Sequence, residues 1–301
     1  DVAEISAHGS PVVLAGILKG AMAAGARLAE PGEFTLRGFL HGKRDLIQAE
    51  AVGDLIDAVT PLQARAAFDQ LEGTLTSAIA AIETELFDLV ARLEASLDFP
   101  DEGYHFIEHS ELESALGAVV SRLGALLANA GRGRVVREGA VVALVGAPNA
   151  GKSSLFNLLL NSSRAIVHAS PGTTRDLLTE RVDIAGLCIE LVDTAGLRET
   201  EDEVEREGVA RTEGSLRVAD LALVVIDRSR PLSDDDRRAM TSTSSQTRLV
   251  VANKIDLPTA WPDDAVGEAV VPVSVRSGLG IPALIERIVE SLARVPATRD
   301  V

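Results

Sequence analysis

Apolar residues recur along this chain at two different periods, and the change between them divides it. Val52, Leu55, Ile56 and Val59 make one short helical stripe, and Thr60 and Pro61 read as N-cap and first position of the next helix. Phe68, Leu71, Leu75, Ile79, Ile82, Leu86, Leu89, Leu93 and Leu97 then follow at steps of three and four. That spacing predicts one amphipathic helix of roughly 55 Å at 1.5 Å per residue, stopped by the stretch from Asp98 to Gly103. Ser110 with Glu113 predicts a capping box for a further helix that turns Leu112, Leu116, Val119, Leu123 and Leu126 inward. Gly131–Arg–Gly133 reads as a linker. Beyond it come apolar runs near 140–145, 177–184, 187–192, 221–226, 248–252 and 269–273, alternating with helical stretches. This predicts an α/β domain over 139–296, a mostly parallel sheet with helices on both faces. An α-helical domain spans 46–133 ahead of it. Residues 1–45 read as a small α/β piece: a strand at Val2–Ser6, a helix from Pro11 to about Ala24 closed by Gly25, and a charged, turn-rich surface connection through Asp45.

In an α/β sheet, ligands bind beyond the carboxyl ends of the strands, which here carry Gly146, Asp193, Asp227, Asn253 and Ser274. The first run leads into Gly146–Ala–Pro–Asn149–Ala150–Gly151–Lys152–Ser153 and then an apolar helical pattern. Strand, glycine loop and helix together turn G-x-x-x-x-G-K-S into a phosphate cradle of backbone N–H groups at a helix N-terminus. Asn149 to Ser154 are therefore read as nucleotide-binding, Lys152 reaching the β/γ-phosphates and the Ser153 hydroxyl holding Mg²⁺. Asp193–Thr194–Ala195–Gly196 follows an apolar strand, so Asp193 is a candidate for the Mg²⁺ shell and the Gly196 N–H for the γ-phosphate. Pro171–Gly172–Thr173–Thr174–Arg–Asp176 lies between, with Thr174 placed to complete the Mg²⁺ shell. Asn253–Lys254–Ile255–Asp256 follows another strand; an aspartate accepts from N1–H and N2–H of guanine, a donor pair adenine lacks. Ser274–Val275–Arg276 is the expected source of a last backbone contact to the base. Four short motifs in this order read as a guanine-nucleotide-binding P-loop domain.

Composition adds bounds to that picture. Hydrophobic residues make 46% of 301, ample for two cores, and the net charge of −16 repels naked nucleic acid, Arg132, Arg134 and Arg137 being the one basic cluster. The single Cys188 lies mid-strand and is expected to be a small core residue. No apolar run approaches a membrane span in length, so a soluble, cytoplasmic protein without membrane contact is expected.

With those residues in view, the chain resembles the bacterial MnmE (TrmE) family of tRNA modification GTPases. The likeness rests on Glu30–Pro–Gly–Glu–Phe–Thr–Leu–Arg37, on Gly42–Lys43–Arg–Asp45–Leu–Ile–Gln48–Ala–Glu50, on Asp98–Phe–Pro–Asp–Glu102, and on Asn149, Gly172–Asp176 and Asp193–Arg198. The resemblance implies a folate-binding domain, a helical domain into which the GTPase domain is inserted, and a homodimer. It also implies action with the flavoprotein MnmG to install a carboxymethylaminomethyl group on the wobble uridine of tRNA. On the same carry-over, Glu4 and Lys43 contact 5-formyl-tetrahydrofolate, and a nucleotide loop runs through His168, Ala169, Ser170, Pro171, Gly172 and Thr173. K⁺ is held by Asn149, His168, Ser170 and Thr173, activating hydrolysis when two GTPase domains pair. Leu197 stands where Ras-like switches place a water-orienting glutamine, and the resemblance gives the catalytic role to Glu205. Histidine stands at 168 where the family commonly has Thr or Ser, and Ser10 where a second glycine is usual. Against the family pattern the first part of the folate domain and the segments beyond the GTPase domain are missing, so GTP hydrolysis without completed tRNA modification is expected. The alternatives are a regulatory switch such as a ribosome-assembly GTPase, and a purely helical dimerisation module.

Overall fold

A computed structural model of the chain describes residues 2–98, 107–162, 164–165, 179–193 and 218–295. Its order is α1 (Pro11–Ala23), α2 (Glu33–Leu40), α3 (Leu46–Asp57), α4 (Pro61–Leu71), α5 (Thr74–Asp98), α6 (His109–Glu138), β1 (Ala140–Val145), α7 (Lys152–Ser162), β2 (Arg164–Ala165), β3 (Thr179–Ile184), β4 (Leu187–Asp193), β5 (Leu221–Asp227), α8 (Asp234–Ser242), β6 (Arg248–Asn253), β7 (Val270–Pro272) and α9 (Ile281–Leu292). The sheet runs β2-β3-β4-β1-β5-β6-β7. β4, β1, β5, β6 and β7 are parallel neighbours, while β2 and β3 are antiparallel on one flank. The expected mostly parallel sheet is present, with β2 as a strand the hydrophobic pattern did not signal.

Alternation along the central strands sorts side chains onto two faces. Val142, Leu144, Leu221, Leu223 and Val225 enter one core with Leu155 and Leu159 of α7 and Leu284 and Ile288 of α9. Ala143, Val145, Ala222, Val224 and Ile226 enter the other, with Ala239 of α8 and Trp261. Helices thus cover both faces, as the α/β pattern requires. Cys188 is buried in β4, as expected of a small core residue, and burial pushes its thiol up.

The helical region departs from expectation in instructive ways. The predicted single helix from 61 breaks after Leu71: Gly73 takes φ 83°, and Gln48 Nε2 of α3 donates to the Leu71 carbonyl at 3.0 Å, capping α4 there. The leucine stripe continues in step across the break, so periodicity could not reveal it. Thr60 does cap α4, accepting from Gln63 N–H, and Asp45 caps α3 through the same reciprocal box with Gln48. The box expected at Ser110 is absent; α6 begins two residues earlier, at His109 with Glu108 as N-cap, without a side-chain cap bond.

The linker expected at Gly131–Gly133 is helix: α6 runs through it to Glu138. Two glycines cost about 1 kcal/mol each in a helix interior, but the last turns bury Val135 and Val136 in the sheet-domain core, which outweighs that. α6 is also long and apolar enough to cross a membrane by length and composition, contrary to the expectation that no run approaches that length. Such a helix by itself is weak evidence for a span. Of the stripes expected to face inward, α5 buries Ile82 and Leu89 and α6 buries Val119. Leu86, Leu97, Leu116 and Leu123 stay exposed.

At the start of the chain, Val2–Ser6 forms no strand; among the described residues none pairs with it to complete a ladder. The connection expected at 30–45 contains α2, opened by the Pro31–Gly32 turn and tied by Arg27, whose guanidinium bonds both carboxylate oxygens of Glu33 at 2.6 and 2.8 Å.

The helical region docks on the sheet domain through α4. Leu62 and Ala66 pack against the core shared by α7 and α9, and Gln63 Nε2 donates to the Arg137 carbonyl at 3.0 Å. Leu62 sits over Gly186 in the two-residue turn joining β3 to β4.

Candidate functional site

The carboxyl ends of β1, β4, β5 and β6 and the turn after β7 converge at one edge of the sheet. β1 enters the loop 146–151, and α7 leaves it at Lys152. Lys152 is buried, its ammonium donating to the Gly146 and Ala147 carbonyls at 2.8 Å each. Ser153 and Ser154 occupy the first turn of α7, where the positive end of the helix dipole favours phosphate. Asp193, the last residue of β4, is 2% exposed. The structure therefore brings Asn149, Ala150, Gly151, Lys152, Ser153, Ser154 and Asp193 to one edge, as their spacing predicts.

β6 delivers Asn253 to the same edge, where it ties two motifs together. Its Nδ2 donates to the Ala150 carbonyl at 2.9 Å, while its Oδ1 accepts from the Lys254 and Val275 N–H groups at 2.8 and 3.2 Å. Lys254, held at φ 68°, sends its ammonium to the Asn149 carbonyl at 3.0 Å and to Asp227 Oδ2 at 2.6 Å. Ile255 N–H donates to the Val273 carbonyl, so Asn253 to Asp256 are laced to the turn that carries Ser274, Val275 and Arg276.

That turn positions Asp256, the aspartate expected from the sequence to meet the base. Ser274 is fully buried and its hydroxyl donates to Asp256 Oδ1 at 2.7 Å. The bond holds the carboxylate below its ordinary range, so it faces the edge as an anion with acceptor capacity to spare. Asp256 is exposed; it lies at the open rim, where a base would have to cover it.

One cluster was not assigned a role from sequence. Asp227, 5% exposed at the end of β5, accepts from Ser229 through both N–H and hydroxyl and from Lys254. Burial pulls its pKa upward, but the Lys254 and Ser229 bonds outweigh that and hold it below the ordinary value. Arg230, three residues on, donates to the Pro148 carbonyl at 3.2 Å. The one sequence signal was an aspartate closing a buried strand with a serine two residues on, the mark of a local turn.

Several candidates stand outside the described residues: His168, Ala169, Ser170, Pro171, Gly172, Thr173, Thr174, Thr194, Ala195, Gly196, Leu197 and Glu205. Glu4 and Lys43 are described and exposed, Glu4 ahead of α1 and Lys43 just after α2. The basic cluster noted in the sequence is divided by its pairings: Arg134 bonds Asp220 at 2.9 Å, whereas Arg137 lies beside Glu138. Among the described residues, no group of three or more His, Cys, Asp and Glu could hold a metal on protein ligands alone.

Comparison with known proteins accords with this geometry. The family model described as the MnmE helical domain matches residues 46–300, and that described as the GTP-binding protein TrmE N-terminus matches residues 1–43. A tRNA modification GTPase MnmE from Geobacter sulfurreducens is 45% identical over 293 residues, covering 97% of this chain and 64% of its own length. One of the same name from Aquifex aeolicus is 43% identical, over 97% of this chain and 65% of its own. The chain thus spans slightly under two thirds of the length of these curated relatives. Among solved structures, the G domain of the T. maritima FeoB iron transporter covers 50% of this chain and 98% of its own, at 28% identity and a TM-score of 0.39, too loose a superposition to carry an argument. Most of the chain matches one family model and its relatives retain over two fifths of its residues, so this chain belongs to the MnmE family.

Proposed function

We propose that the chain binds guanine nucleotide at the carboxyl edge of its sheet and hydrolyses GTP as part of tRNA wobble-uridine modification. The observation that carries this reading is the pairing of Asp256 with Ser274 while Asn253 and Lys254 hold the phosphate loop. A carboxylate kept ionised and aimed by a buried hydroxyl suits N1–H and N2–H of guanine. The names of the relatives, tRNA modification GTPase, support the substrate and the pathway.

Mg²⁺ fits the donor set: a hydroxyl at Ser153 and a buried carboxylate at Asp193 suit a hard cation that otherwise takes phosphate oxygens and water. In this reading Thr174 joins them, and the ion, when bound, neutralises charge on the β- and γ-phosphates. Lys152 and the loop N–H groups orient those phosphates, and Glu205 positions the attacking water. The side-chain oxygen of Asn149 suits a monovalent cation, K⁺, with His168, Ser170 and Thr173 completing its ligands. Pairing of two G domains then activates hydrolysis.

By family, residues 1–45 belong to a folate-binding domain with Glu4 and Lys43 toward 5-formyl-tetrahydrofolate. Residues 46–133 form the helical domain and 139–296 the G domain. The partners in this reading are a second copy of the chain, MnmG and tRNA, in the cytoplasm. The experiment that tests the core of it is a titration with GDP, GTP and ATP followed by GTP turnover in K⁺ and in Na⁺. Binding of ATP as tight as of GTP would sink it.

A further inference from the structure

Three successive carbonyls of the phosphate loop each accept a bond from a side chain on a neighbouring strand end. Pro148 accepts from Arg230 at 3.2 Å, Asn149 from Lys254 at 3.0 Å and Ala150 from Asn253 at 2.9 Å. Asn253 and Lys254 belong to the base-recognition motif, whereas Arg230 comes from the β5–α8 connection and belongs to none of the motifs. We propose that Arg230 is a positioning residue for Asn149.

The argument is geometric. The Pro148 carbonyl lies on the peptide plane that precedes Asn149, and the Asn149 carbonyl lies on the plane that follows it. Two fixed peptide planes define φ and ψ of the residue between them, and with them the direction of its side chain. Asn149 has φ 62°, in a left-handed region that asparagine enters more readily than other non-glycine residues, and the two held planes select that conformation over the commoner ones. Lys254 holds one plane and Arg230 the other.

Asp227 makes the arrangement possible by bringing two cations to adjacent carbonyls. Its Oδ2 lies 2.6 Å from Lys254 Nζ and 3.7 Å from Arg230 Nε, so one carboxylate sits between two positive charges that would otherwise repel. Its backbone is fixed in turn: Trp261 Nε1 donates to the Asp227 carbonyl at 3.2 Å, and the Arg228 guanidinium stacks on the Trp261 ring. Arg230 thus hangs from a braced strand end, with 40% of its side chain exposed and its tip on the loop. The functional consequence rests on the proposed reading that Asn149 ligates a monovalent cation: tilting its side chain would weaken that site without touching the phosphate-binding N–H groups.

The test compares the full 301-residue chain with its Arg230→Ala and Arg230→Lys variants. Amide hydrogen exchange across Gly146–Gly151 reads the loop directly, and GTP turnover as a function of K⁺ and Na⁺ reads the consequence. In Arg230→Ala, exchange at the Ala150 amide, which donates to the Ala147 carbonyl at 3.3 Å, is expected to rise about three- to tenfold, the range one hydrogen bond supplies. The K⁺ concentration for half-activation should rise by a similar factor, with the KM for GTP changed less than about twofold. Arg230→Lys should recover most of both, since an ammonium can still reach the carbonyl. Unchanged exchange in Arg230→Ala overturns the proposal, as does parental K⁺ dependence in a parent that prefers K⁺. If the parent turns over equally in both salts, the cation reading of Asn149 has failed, and the exchange rates alone decide whether Arg230 positions the loop.

Discussion

The side-chain amide of Asn253 occupies the space that a β-carbon on Gly151 would need. Such an atom would lie 2.2 Å from Asn253 Nδ2, and Gly151 has φ 101°, a conformation side chains rarely adopt. Glycine is therefore required at 151 for two independent reasons, and one of them is a residue from the far strand. Gly151→Ala is expected to displace the Asn253 amide from the Ala150 carbonyl, lower GDP affinity at least tenfold and cost about 1–3 kcal/mol of stability. Isothermal titration with GDP alongside thermal melting would check both; near-parental GDP binding would contradict the packing argument.

Guanine specificity is expected to sit in Asp256. Asp256→Asn replaces an acceptor by a donor opposite guanine N1–H, so preference should move from GTP toward XTP. Competitive binding of the two nucleotides measures it, and an unchanged order of preference would remove Asp256 from the base site.

Both Asp256 and Asp227 are expected to titrate below the ordinary aspartate value of 3.8. A carboxylate whose native pKa is depressed stabilises the fold fully above its unfolded value, and that stabilisation is lost as pH falls through the native one. The Lys254–Asp227 and Ser274–Asp256 contacts should therefore persist at pH 5 and fail only below about pH 4. Carboxyl carbon shifts followed by NMR would show this, and Ser274→Ala should bring Asp256 back toward 3.8 while leaving Asp227 where it is.

The β3–β4 turn is expected to report on the seat of the helical region. A β-carbon at Gly186 would stand 3.2 Å from Leu62 Cβ, at φ 89°. Gly186→Val should destabilise the chain by about 1–3 kcal/mol. Adding Leu62→Ala should recover the steric part and leave the backbone strain, which a double-mutant cycle separates. Simple additivity of the two substitutions would mean that Leu62 does not rest on the turn.

In the proposed mechanism, Glu205→Ala should lower GTP turnover roughly 10²–10⁴-fold with nucleotide affinity nearly unchanged, because the residue addresses water. Asn149→Ala should abolish any difference between K⁺ and Na⁺. Steady-state kinetics in the two salts checks both, and parental turnover by the Glu205 variant would assign the water to another group.

What the sequence by itself determined is what local rules write into short stretches. Strand, glycine loop and helix at 140–160 can be read because the phosphate cradle needs those residues in that order. The N-cap at Thr60 is legible for the same reason, since a cap and the turn it closes are neighbours in the chain. The continuous apolar runs at 140–145 and 221–226 likewise mark strands buried on both faces. Tertiary structure decided the rest, wherever a contact joins residues far apart in the chain. Gly73 breaks a helix whose leucines never lose step, because Gln48 of α3 reaches over to cap Leu71. Gly131 and Gly133 stay helical, against their propensity, because Val135 and Val136 have a core to enter. Arg230 meets Pro148 across 82 positions of sequence, a contact that exists only because β1 and β5 are neighbours in the sheet. Periodicity and motif spacing report on neighbours along the chain; the sheet order chooses which distant strand ends share an edge, and the site is built on that edge.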